Sequence, residues 1–133
     1  MSDEVERAIN NKNNENITNF TREVIATRKK QIFNQLTKTP SDFLKKLKEY
    51  RHVDELTEIR LGCYIRWMRA DSLKLTNGGV VLKVDLTENG TNITVKNNMG
   101  RLFTLKLDDN FVFQRITDQE DIILSIIDKI NKK

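Results

Sequence analysis

The sequence predicts an α+β fold: N-terminal helices, a five-stranded antiparallel sheet that is strongly curved or closed into a small barrel, and a C-terminal helix. Three observations carry this expectation. All five glycines lie between Gly62 and Gly100, and the single proline is Pro40; glycine serves turns and proline stops helices. Apolar spacing is helical in the first and last parts of the chain and alternates with period two between them. Turn signals recur about every ten residues through the middle, the rhythm of a meander joined by tight turns.

The pattern divides the chain into a polar, Asn-rich arm over 1–18, a helical region over 19–57, the sheet over 58–116 and an amphipathic helix over 117–133. The arm reads as weakly structured by itself, because it has too little apolar surface to offset the entropy of ordering. From Phe20, the residues Val24, Ile25, Ile32, Phe33 and Leu36 fall on one helical stripe, which Arg28, Lys29 and Lys30 interrupt. Thr39-Pro40-Ser41-Asp42 starts a second helix, with Thr39 as cap and Pro40 at the first helical position. Phe43, Leu44 and Leu47 form its buried face, and it is expected to end near Tyr50 to His52.

The period then changes. Leu61, Cys63, Ile65 and Trp67 are expected to point inward, and Tyr64, Arg66 and Met68 outward. Val80, Leu82, Val84 and Leu86 mark the second strand after Asn77-Gly78-Gly79. Glu88-Asn89-Gly90-Thr91 predicts a type I′ hairpin turn, which needs positive φ angles at its centre. Ile93 and Val95 mark the return strand. Asn97-Asn98-Met99-Gly100 is the next turn, and Phe103, Leu105 and Leu107 are the inward residues of the fourth strand. Asp108-Asp109-Asn110 turns into a last short strand, Phe111 to Ile116. Thr117-Asp118-Gln119-Glu120 is a capping box. Ile122, Ile123, Ile126, Ile127 and Ile130 then build an apolar stripe that must pack on something.

The usual catalytic constellations are missing. One histidine and one cysteine cannot supply a four-ligand zinc set. Asp108-Asp109-Asn110 lacks the spaced acids and later glutamate of a calcium loop and reads as an acidic turn. Cys63 is expected to be a buried thiol and His52 a helix C-terminal residue, not a nucleophile and its base. Glu55 and Glu58 read as a solvated carboxylate pair. No Gly-x-x-x-x-Gly-Lys pattern surrounds Gly78-Gly79. The expectation is a protein that is not an enzyme, with no metal, cofactor or small-molecule substrate.

Binding signals are more informative. Tyr64, Arg66 and Arg69 share a strand in which aromatic and cationic side chains suit either a protein interface or stacked bases with phosphates. Arg28, Lys29 and Lys30, and Lys45 and Lys46, are basic patches on helices. Ile126 and Ile130 continue the terminal apolar stripe toward a protein contact. The net charge of +4 divides as +2 over 1–57, +3 over 58–116 and −1 over 117–133, so no segment is a dominant basic block.

Five short strands, a long first connection and a brief last strand running into a helix, spanning Leu61 to Ile116, resemble an SH3-like small barrel of the Tudor or KOW type. That resemblance implies binding of peptides, nucleic acids or assembly partners rather than catalysis. Of the aromatics a Tudor cage would need, Tyr64, Trp67, Phe103, Phe111 and Phe113 are the candidates, with Phe103 read as core. The Asn/Lys/Ile bias with this layout also resembles small proteins of large DNA viruses.

The functional expectation is therefore a protein–protein interaction or assembly module, a viral structural component among the options, with self-association included. A nucleic-acid-binding protein is the alternative. The first 20 residues have no apolar signal region, no run approaches a membrane span, and a lone cysteine excludes an internal disulfide. These point to an intracellular, reducing compartment, whether virion, host cytoplasm or nucleus.

Overall fold

A computed structural model of the chain describes residues 3–11, 14, 17 and 20–131. The remaining residues of the Asn-rich arm expected over 1–18 lie outside the described residues. Among the described residues the fold is α+β, with four α-helices and a six-stranded antiparallel open sheet. The chain divides into two compact units: Met1–Lys46 with Ile116–Lys133, and Leu47–Arg115. No helix among the described residues is long and apolar enough to cross a membrane.

The first unit is helical. Its helices are α1 (Asp3–Asn10), α2 (Arg22–Leu36), α3 (Pro40–Lys46) and α4 (Asp118–Asn131). Ala8, Ile17, Ile25, Ile123 and Leu124 form its buried cluster, with Phe20, Ile116, Ile122 and Ile127 packed against it. The described residues of the arm are thus more structured than their polarity suggests. Its asparagines supply directed bonds: Asn14 Nδ2 donates to the Ala8 carbonyl at 2.8 Å, and Asn11 Nδ2 donates to Gln119 Oε1 at 2.9 Å.

Thr21 caps α2, its hydroxyl accepting from the Val24 N–H at 3.1 Å. The buried stripe of this helix is Ile25, Lys29 and Phe33. That corrects the reading of Lys29 as part of a basic binding patch: spacings of four on either side place it on the buried face. Phe33 and Phe43 stack with ring centroids 5.1 Å apart. The capping box of α4 forms as the sequence predicts. The Thr117 hydroxyl accepts from the Glu120 N–H at 3.1 Å, and Glu120 Oε1 accepts from the Thr117 N–H at 2.9 Å.

The second unit holds the sheet: β1 (Tyr50–Val53), β2 (Tyr64–Arg69), β3 (Gly79–Thr87), β4 (Gly90–Lys96), β5 (Leu102–Lys106) and β6 (Asn110–Arg115). The order is β1-β6-β2-β3-β4-β5. This corrects the five-strand expectation. The second helix stops at Lys46, and Tyr50 to Val53, including His52, form a strand with alternating burial. Tyr, His and Val suit an extended backbone better than another helical turn. Neither end of the sheet pairs with the other, so the closed-barrel option does not hold; the sheet remains open.

Val53, Ile65, Val81, Ile93, Val95, Leu105, Leu107 and Val112 make the core of this unit, with Ile59, Trp67 and Val84 packed on it. A register shift between Val81 and Lys83 explains a second correction. Val81 and Val84 face the core, while Val80 is half-buried and Leu82 exposed, because the bulge sets an extra residue between the two inward positions and a single period-two phase does not run through the strand. Cys63 precedes β2 and is half-buried, not a core thiol. Met68, read as outward, is fully buried. Phe103, read as core, is exposed.

The turn between β3 and β4 differs in type from the prediction. Leu73 is the one non-glycine residue with positive φ among the described residues, and Gly90 has φ +115°. The central residues Glu88 and Asn89 therefore lack the left-handed geometry of a type I′ turn. The Thr87 hydroxyl closes the turn instead, donating to the Gly90 carbonyl at 2.8 Å.

Candidate functional site

The side chains singled out on β2 are engaged in holding the protein's own loop. The connection after β2 folds back along that strand. Tyr64 Oη donates to the Asn77 carbonyl at 2.6 Å, and Arg66 Nε donates to the Thr76 carbonyl at 2.8 Å. The Trp67 N–H reaches the Thr76 hydroxyl at 3.2 Å, and the Thr76 N–H returns to the Trp67 carbonyl at 2.9 Å. Gly78, at φ +87°, seats this loop: a Cβ there would collide with the Ile65 carbonyl, the Tyr64 ring and Arg66. Arg69 is exposed and pairs with Asp71 at 3.4 Å.

Arg66 lies opposite Phe113, which lies opposite His52. The His52 and Phe113 ring centroids are 5.5 Å apart. Nearby, burial raises the Tyr50 hydroxyl above the usual phenol range; Arg66 and Arg115 pull against that shift, while Tyr64 and Glu49 add to it. Phe113 is fully buried, and Tyr50, His52, Tyr64, Arg66 and Phe111 are half-buried. The structure thus brings Tyr64 and Arg66 together with other aromatic and cationic groups in a packed arrangement, not in an open stacking platform.

The helical candidates belong to the other unit. Lys30, Lys45 and Lys46 are exposed, Arg28 is half-buried, and Lys29 is buried. Ile126 is half-buried and Ile130 is 62% exposed.

The sheet offers a different surface, which the reading of the sequence missed. As a terminal strand, β5 has one side without a strand neighbour. Its backbone geometry follows from one bond. The Asn97 N–H donates to the Arg101 carbonyl at 2.9 Å, so these two residues form a hydrogen-bonded pair. Alternation along an antiparallel ladder then turns the N–H and C=O of Leu102, Thr104 and Lys106 away from β4. The Lys106 carbonyl fits this, since it accepts from Asn110 Nδ2 at 2.7 Å. Leu102 and Thr104 present their groups along an accessible edge.

Apolar side chains accompany this edge. Leu102 is 64% exposed, Phe103 43% and Met99, in the preceding turn, 85%. That turn is rigidly built. Asn97 Oδ1 accepts from the N–H groups of Met99 and Arg101 at 3.0 and 2.9 Å, and Gly100 takes φ +78°. The sequence signal was present: two adjacent apolar residues, Leu102 and Phe103, cannot both face the interior of an alternating strand.

The outer face of β3, β4 and β5 is cationic. Lys96 lies opposite Leu102, Lys83 shares a row with Thr94 and Thr104, and Lys106 lies opposite Asn92. Lys83 is paired with Asp85 at 3.4 Å. Lys96, Arg101 and Lys106 have no ion pair among the described residues. Comparison with protein-family models, with curated proteins and with solved structures finds no match.

Proposed function

We propose that this protein is a non-enzymatic protein-interaction module that captures an extended partner segment along β5. The observation that carries this reading is the pairing of outward backbone groups at Leu102 and Thr104 with exposed apolar side chains at Met99, Leu102 and Phe103. Strand addition draws its affinity from main-chain hydrogen bonds and its selectivity from alternate side chains. Exposed apolar groups beside an unpaired edge supply both.

The nucleic-acid reading through Tyr64 and Arg66 is less favoured. Their polar atoms bond to the loop at Thr76 and Asn77, which competes with base stacking and phosphate contact. We also propose an SH3-like arrangement of the strands. The meander β2-β3-β4-β5, with β6 returning beside β2, supports it, and β1 extends the sheet beyond β6.

The test is selection from a displayed library of random ten-residue peptides, followed by binding to the Thr104→Pro and Thr104→Ala variants. Proline removes the outward N–H without touching the β4 ladder, and edge strands tolerate it. Peptides that bind wild type and Thr104→Ala but lose Thr104→Pro support the reading. An empty selection, or peptides indifferent to the proline, overturns it. Titration with labelled DNA and RNA over a salt series runs alongside; tight binding that weakens steeply with salt transfers the function to nucleic acid.

A further inference from the structure

We infer that the segment accepted by β5 alternates acidic and apolar residues, and that it comes from a different protein rather than a second copy of this chain. The inference rests on the strand-capture reading and deepens it.

Successive residues of an added strand point to opposite faces of the sheet. On the outer face they meet Leu102, Thr104 and Lys106, backed by Lys96 on the next strand. Aspartate or glutamate at alternate positions answers this field, because opposite charges across neighbouring strands attract. On the other face the added residues meet Phe103 and Leu105, next to Val95 and Ile93. Apolar side chains there extend the core outward over Phe103, which is 43% exposed.

The nearby acids do not cancel the field. Asp85 is paired with Lys83. The Asp108 carboxylate is turned toward Gly90 at the start of β4, where it occupies the space that a Cβ on that glycine would need.

A second copy fits poorly for the same reason. Joining two β5 edges places two sets of Lys96 and Lys106 on one continuous face, where each copy's Asp85 is already paired with its own Lys83. At physiological salt the screening length is about 8 Å, longer than the roughly 4.8 Å between neighbouring strands, so lysines on adjacent strands still repel one another. Cationic residues on an edge strand commonly serve to prevent such self-pairing.

Fluorescence anisotropy with three synthetic peptides tests this. One alternates Glu with Val, one has the same composition with the acids in a block, and one replaces Glu by Lys. The alternating acidic peptide should bind about tenfold tighter than either control, the effect of a few cross-strand pairs acting together. It should lose that advantage in the K96E/K106E variant, which should instead favour the lysine peptide. Equal binding of all three, still sensitive to Thr104→Pro, overturns the inference and leaves strand capture standing. Binding of none of them, together with an empty library selection, removes the underlying reading. A dimer seen by light scattering and abolished by Thr104→Pro makes the occupant a second copy and overturns the inference.

Discussion

Arg51 and Glu58 meet inside the sheet unit, Nη1 to Oε2 at 3.4 Å, with side chains 2% and 9% exposed. Gln114, opposite Arg51 on β6, completes the arrangement. Its Nε2 donates to the Glu58 carbonyl at 3.2 Å, and its Oε1 accepts from the Arg60 N–H at 2.8 Å. The Asp54 N–H reaches Glu58 Oε1 at 3.4 Å. These bonds fasten the connection between β1 and β2 and satisfy polar groups that burial would otherwise penalise.

Glu58→Ala removes the carboxylate that faces the buried Arg51 guanidinium. The expected loss is about 3–5 kcal/mol, the usual cost of breaking a buried pair from one side. Urea denaturation measures it. The Arg51→Met/Glu58→Leu double variant should recover most of the loss, since a matched apolar replacement removes both charges together. A wild-type midpoint for Glu58→Ala would contradict the burial described.

Gly78→Ala combines a positive φ with collision against the Ile65 carbonyl backbone. Strain of this kind costs of order 1–3 kcal/mol. The Tyr64 and Arg66 contacts to Asn77 and Thr76 should loosen with it. Thermal unfolding gives the first quantity, and amide exchange at Thr76, whose N–H bonds to Trp67, gives the second.

Burial lowers the Lys29 ammonium below its ordinary value of 10.5. Between that lowered value and 10.5 the unfolded chain binds more protons than the folded one, so stability rises with pH across this window. Below it the penalty is constant. Lys29→Met should remove this rise. Urea midpoints from pH 7 to 10 test the claim; an unchanged pH slope in the variant counts against it.

Thr117→Ala removes the hydroxyl that accepts from Glu120. Loss of such a cap costs about 1 kcal/mol. The same substitution leaves the sheet intact, so peptide binding at β5 should be unaffected. A parallel loss of binding would show that the two measurements are not independent.

Much of the fold was legible in the residues. Thr117 and Glu120 announced α4, Pro40 announced α3, and the period-two stretches located most strands. What escaped has specific physical causes. Tyr50 to Val53 is only four residues long, too short for periodicity to separate a strand from a helix end. Its partner β6 lies some sixty residues further along the chain, a pairing that local pattern does not encode. The bulge after Val81 breaks the period-two phase within β3, so one alternation does not describe both of its halves. Lys29 was hidden by its charge, although its spacing from Ile25 and Phe33 was visible.

The candidate site was harder to read. Tyr64 and Arg66 looked like binding residues because their composition suits an interface, whereas their bonds to Thr76 and Asn77 depend on how the loop folds back. The β5 edge is a property of strand order, which only the assembled sheet reveals. Leu102 beside Phe103 was the one local hint.

Residue-resolved amide hydrogen exchange with the alternating Glu/Val peptide addresses the central claim most directly. Strand capture predicts that the N–H groups of Leu102 and Thr104, exposed to solvent in the free protein, become protected when peptide is added, while those of Phe103 and Leu105, already bonded to β4, change little. Binding that leaves Leu102 and Thr104 exchanging at their free rates, or that protects β2 around Tyr64 and Arg66 instead, contradicts it.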